Sequence, residues 1–123
     1  MIYTNDNYRV TFFKNTNGKI PVLEYIEELS DKEKAKVLKY VEFLREHDGV
    51  LDEPYSKHIE GKIRELRVDF GKNRHRIFYF TSINKNIILL HAFLKKTPKT
   101  PLIEIKKAKE YFKQVLDSEK SYE

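Results

Sequence analysis

The chain has 123 residues, 40% of them hydrophobic, with eight Phe, eight Tyr and no Cys. That apolar content at that length supplies one core of ordinary size and excludes wholesale disorder, and the missing Cys excludes a disulfide framework and any thiolate metal site. The net charge of +5 conceals an asymmetry: residues 57–100 hold eleven Lys or Arg against three acids, while the rest of the chain carries more acids than bases. Positive charge gathered into one third of a chain points to a polyanionic partner, most often nucleic acid.

The first predicted element is a strand over Tyr8–Phe13, where Tyr8, Val10 and Phe12 alternate with Arg9 and Thr11. Asn15–Gly18 punctuates it. Pro21 suits a first helical turn, and Val22, Leu23, Tyr25, Ile26 and Leu29 follow at helical spacing. Ser30 and Glu33 then read as a capping box for a second helix with Val37, Leu38, Val41 and Leu44 on one face and Gly49 as its stop. So short a break implies an antiparallel helical hairpin. Residues 50–61 read as a loop, followed by three strands near 62–70, 74–81 and 86–94, the last apolar on both parities and hence central. After a polar connector at 95–100, Thr100 is expected to cap a final helix with Pro101 at its first position and Ile105, Ala108, Phe112 and Val115 on its core face. The tail from about residue 117 reads as frayed.

The order β-α-α-β-β-β-α predicts a single α+β domain over residues 1–123. Its helices lie on one side of a largely antiparallel sheet, and the other face stays open as a basic working surface. No apolar run approaches the roughly 20 residues of a membrane span. The start MIYTNDNYRV has no apolar signal region. A cytoplasmic chain without membrane attachment is therefore expected. His47, His58, His75 and His91 show no metal-ligand spacing, so neither metal nor cofactor is expected.

Three clusters carry candidate chemistry. A two-residue Gly71-Lys72 turn would set Arg67 opposite Arg76, Val68 opposite His75 and Asp69 opposite Arg74. Facing arginines repel across a ladder unless an anion lies between them, and a guanidinium fork suits phosphate. The plainer alternative pairs both with Glu65 and Asp69. Lys95, Lys96 and Lys99 follow the last strand, where a rigid sheet would position them; the alternative is a solvated connector. Lys57 and His58, with Lys62 nearby, form the third cluster, and His58 is the candidate for proton transfer. His75 and His91 read as structural. Phe78, Tyr79, Phe80 and Phe93 have stacking potential, but at least two are expected in the core.

The ordered strings GKIRELRVDFGKNRHRIFYF and ILLHAFLKKTPKTP, followed by a helix opening IEIKKAKEYF, resemble the phage-derived, HigB-type branch of the RelE/ParE toxin superfamily from about Tyr8 to Val115. The resemblance implies a RelE-like fold and the toxin of a type II toxin–antitoxin pair. It implies a ribosome-dependent mRNA endoribonuclease that needs no metal and drives the 2′-hydroxyl onto the adjacent phosphate. Arg67, Arg76, Lys96 and His58 take the catalytic places; Lys57, Lys62, Arg64, Arg74, Lys95 and Lys99 would hold RNA. The implied partners are the ribosome, mRNA and a HigA-type antitoxin with a helix-turn-helix domain, operator DNA being reached only through that antitoxin. Two alternatives share the fold: a ParE-like, non-catalytic gyrase poison and an inactive nucleic-acid-binding relative.

Overall fold

In the computed structural model, which describes residues 8–122, the strand periods of the sequence resolve into one five-stranded sheet. In chain order the elements are β1 (Arg9–Phe12), α1 (Pro21–Glu27), α2 (Asp31–Glu46), β2 (Ser56–Glu60), β3 (Ile63–Phe70), β4 (Asn73–Thr81), β5 (Asn86–Leu94) and α3 (Leu102–Asp117). Across the sheet the order is β1-β5-β4-β3-β2, antiparallel except for β1, which runs parallel to β5. The architecture is thus α+β with a mostly antiparallel sheet. It also contains a strand within the predicted loop 50–61: β2 pairs with β3 from Ser56 opposite Leu66 onward. Its outward residues Lys57, His58 and Glu60 are polar. So polar an edge strand gives no alternating apolar signal, and this short charged form is how natural sheets blunt a free edge.

Both faces of the sheet are covered, which corrects the expectation of an open basic face. The α1–α2 hairpin packs Val22, Ile26, Val37, Val41 and Leu44 onto Leu66, Val68, Ile77, Tyr79, Ile87 and Leu89. On the opposite side α3 brings Ala108 and Val115 against Ile63, Phe78, Phe80, Ile88, Leu90 and Phe93. This explains the two-parity apolar run of β5, whose odd and even residues serve different cores. Leu38, placed on the α2 core face by its spacing, is 44% exposed, because the buried stripe is the narrower Val37–Val41–Leu44 line.

Local signals account for most boundaries. Ser30 Oγ accepts the Glu33 N–H at 3.3 Å, so the cap forms. Gly49 ends α2 at φ +86°, its N–H reaching the Leu44 carbonyl at 2.9 Å. The last helix begins one residue later than expected. Pro101 is its N-cap without a side-chain cap, because Thr100 Oγ1 turns to the sheet instead. The tail does not fray within the described residues. Glu119–Tyr122 closes as a 3-10 turn. There the Tyr122 carbonyl accepts Asn86 Nδ2 at 3.1 Å, and the Tyr122 hydroxyl accepts the Lys14 N–H at 3.2 Å.

Candidate anion site on the sheet

The turn between β3 and β4 has two residues, Gly71 and Lys72, with Gly71 at φ +58°. That geometry fixes the register: Arg67 faces Arg76, Val68 faces His75 and Asp69 faces Arg74. Side chains directly opposed on an antiparallel ladder lie on the same side, with Cβ atoms about 5 Å apart. Ile63 and Phe78 point into the α3 core. The two-residue period therefore places Glu65, Arg67, Asp69, Arg74 and Arg76 on that side too.

The arginines are not bare. Arg67 Nε donates to Glu65 Oε1 at 2.9 Å, and Arg76 Nη1 donates to Asp69 Oδ1 at 2.8 Å and to the His75 carbonyl at 3.0 Å. Arg76 is 6% exposed, and its Nε–H has no acceptor among the described residues. A buried donor without a partner costs about 1–3 kcal/mol. Nη1 carries every hydrogen bond Arg76 makes among the described residues, and Asp69 is its exposed partner there, so an anion that reaches this guanidinium from solvent meets Asp69 first.

Lys95 completes the group. Its N–H bonds to the Arg74 carbonyl at 2.8 Å, which extends the β4–β5 ladder by one residue. Burial pushes its ammonium below the usual lysine value; Arg76, Arg67 and Arg74 add to that, while Glu65 opposes it. Its register opposite Arg74 puts Lys95, rather than Lys96, on the arginine side of the sheet. Lys96 is exposed and joins Lys72, Arg74 and Lys95 around an adjoining basin of about 510 Å³.

The other expected site residues disperse. His58 is exposed on β2 opposite Arg64, on the hairpin side of the sheet, and its Nε2 lies 2.7 Å from the Gly61 carbonyl. It does not meet the arginine pair, so a proton-transfer role there has no geometric support. Arg64 is on the same side as His58 and donates from Nε to Ser56 Oγ at 3.4 Å. Lys57, opposite Glu65, is on the arginine side at the sheet edge. Lys62 and Lys99 are exposed, in the β2–β3 turn and in the connector. Phe78, Tyr79, Phe80 and Phe93 are all buried and make core. His91 bonds Glu104 at 2.8 Å, and burial holds its imidazole below the usual range. His75 bridges Glu33 and Tyr25. The residue that sequence reasoning missed is Glu65. A lone Glu between Arg64 and Leu66 looks like a solvent-facing strand position, yet it is fully buried under the cation cluster. The one available signal was its parity, which it shares with Ile63 and Arg67.

Among the described residues no group of three or more His, Cys, Asp or Glu is placed to hold a metal, and no helix is long and apolar enough to cross a membrane. A family model described as Phage derived protein Gp49-like (DUF891) matches residues 24–113, from within α1 through most of α3. The chain belongs to this family. Gp49-like proteins are toxin-like and lie within the RelE/ParE-like toxin superfamily, and that membership carries with it an antitoxin partner in general. All of the arginine site falls inside the matched span. No curated protein matches the sequence.

Proposed function

We propose that this Gp49-like chain is an endoribonuclease toxin of the HigB type that cuts mRNA on the ribosome, in the cytoplasm, and is restrained by a HigA-type antitoxin with a helix-turn-helix domain. The observation that carries the reading is the registered pair Arg67–Arg76, two guanidiniums facing each other across one ladder, with the exposed Asp69 on the solvent side of Arg76. The family's toxin character supports it, and so does the cationic basin alongside.

The chemistry follows from where charge builds. In RNA the 2′-hydroxyl attacks the adjacent phosphorus, its proton leaves, and the 5′-oxygen departs with a proton. A cyclic 2′,3′-phosphate and a 5′-hydroxyl result. The added negative charge sits on the nonbridging oxygens of the pentacoordinate state. Donors already fixed on a rigid ladder stabilise that charge without reorganising. Arg67 and Arg76 occupy that place, and Lys95 supplies a third cation beside them. The ribosome orients the message, an alignment that a domain of this size gains little purchase on by itself.

Replacement of Arg76 by Ala is expected to relieve growth arrest on induction and to lower cleavage of ribosome-bound message by about 100-fold or more, the scale for losing one preorganised donor. Primer extension on messages from induced cells reads the cuts, and circular dichroism checks the fold. A folded Arg76→Ala chain that still arrests growth with cut messages overturns the assignment. Arrest without any cut message, in the wild type, points instead to a ParE-like poison acting on gyrase.

A further inference from the structure

The two carboxylates that meet the arginine pair differ in character. Glu65 is fully buried, and its Oε1 accepts Arg67 Nε while Thr100 Oγ1 approaches its Oε2 at 3.5 Å. Asp69 leaves 62% of its side chain exposed and holds Arg76 through one oxygen. A buried carboxylate that left its guanidinium would strand two charges away from water. An exposed one is taken up by water when it leaves, while the buried Arg76 it held then calls for another anion in its place.

The backbone fits this division. Lys36 of α2 donates to the Asp69 carbonyl, so the strand stays in place when the Asp69 side chain rotates away. Glu65 occupies Nε of Arg67, and neither terminal nitrogen of Arg67 has a partner among the described residues. Those two nitrogens are left for a ligand. A carboxylate oxygen on a guanidinium also occupies the position that a phosphate oxygen takes in the same fork.

We propose, resting on the nuclease reading above, that Glu65 is a positioning residue that fixes Arg67, and that Asp69 is a displaceable internal stand-in for the RNA phosphate on Arg76. The free protein thereby keeps Arg76 oriented while screening it from stray anions. A phosphodiester enters by displacing one exposed carboxylate and never disturbs the buried one.

Binding tests this directly on the full chain. The probes are a short single-stranded RNA fully 2′-O-methylated, which cannot be cut, and inorganic phosphate. Asp69→Asn is expected to tighten RNA binding about two- to fivefold, the range for removing a competing exposed ion pair. Phosphate should tighten in parallel, because the competition is for one fork; tightening for RNA alone would mean that Asp69 merely repels the polymer and would overturn the stand-in role. Glu65→Gln keeps an oxygen near Arg67 but removes the charge. It is expected to shift the Arg67 Nε–H resonance in a ¹H–¹⁵N spectrum and to weaken RNA binding at least threefold, with the far-ultraviolet spectrum unchanged. A Glu65→Gln chain whose Nε–H resonance and affinity both match the wild type overturns the positioning role. An Asp69→Asn chain that binds no tighter overturns the stand-in. A wild type that binds RNA in this series yet cuts no message on ribosomes removes the nuclease reading while leaving the carboxylate roles intact.

Discussion

At the scale of single residues, Glu33 shows how a cap becomes a cross-brace. Its Oε1 accepts Ser30 Oγ at 3.2 Å, while its Oε2 accepts His75 Nε2 at 2.6 Å and Asn73 Nδ2 at 3.0 Å. The other ring nitrogen of His75, Nδ1, lies 2.7 Å from the Tyr25 hydroxyl. One carboxylate thereby ties both hairpin helices to the strand that carries Arg76. The His75 and Asn73 hydrogen bonds hold the Glu33 carboxyl below its ordinary 4.5. Burial, followed by the Glu33 charge, pushes the Tyr25 hydroxyl up to about 12. A carboxyl whose folded value is depressed stabilises the fold above its unfolded value and loses that contribution as pH falls below it. Glu33→Gln is therefore expected to melt at lower temperature than the wild type at pH 7, with the gap closing as pH falls below 4.5. A gap independent of pH, in melts followed by circular dichroism, would show that the brace does not act through charge. At this scale the sequence was legible where spacing decided the outcome: the Gly71-Lys72 turn alone set Arg67 against Arg76. It was illegible where a side chain chose among partners across the fold. Glu33 was expected to reach back to its own cap; it meets Ser30 Oγ there and crosses to β4 as well. Glu65 had no local sign of burial, and Lys95 rather than Lys96 joined the arginines because the ladder extends one residue past β5.

Elements were read well where apolar period and punctuation agreed. The helical hairpin, β3, β4, β5 and α3 all have a covered face that repeats at 3.6 or 2 residues, with Gly49 closing α2 and Gly71 turning β3 into β4. The misses share a cause. The edge strand β2 offers its pairing to one neighbour only, so its sequence does not need to alternate. The second covered face was hidden because β5 and α3 each display an apolar stripe without saying which layer it joins. Gly49 shows how strictly one element end is set. Besides φ +86°, a Cβ there would stand 2.4 Å from Thr81 Oγ1 at the end of β4, and the Gly49 carbonyl accepts the Tyr79 hydroxyl at 2.9 Å. Gly49→Ala is expected to cost about 1–3 kcal/mol, from left-handed strain and the clash together. Thr81→Ala in that background should return part of the loss, since it removes the clash and leaves the strain. Denaturant midpoints at constant m measure both; a double variant no more stable than Gly49→Ala would place the whole cost in the backbone.

Over the whole molecule, charge and topology converge. The cation excess of residues 57–100 was visible as composition, but its working part is narrower than the count. Lys57, Lys62, Lys85 and Lys99 are scattered over edges and turns, and Arg64 belongs to the other side of the sheet. Arg67, Arg74, Arg76 and Lys95 share one end of the arginine face and Lys96 lies on the basin beside it, because β3, β4 and the start of the connector meet there. Covering both sheet faces did not remove the working surface; it confined that surface to the end of the sheet where Thr100 and the connector lead into α3. A backbone-tracking cation set of this kind announces itself through counterion release. Binding to single-stranded RNA should weaken with salt at a slope of log affinity against log concentration near −0.7 for each phosphate neutralised. Five cations give a slope of about −3.5. Lys96→Ala, exposed on the basin rim, is expected to flatten it by about 0.7. Lys113→Ala, exposed at the end of α3 that packs beside the β4–β5 turn and so at the far end of the strands from the site, should leave it unchanged. Titrations of the 2′-O-methylated RNA across a salt series measure the slope directly. Equal flattening by both substitutions would mean that RNA is held by net charge over the whole surface, and that the arginine face has no privileged part in binding it.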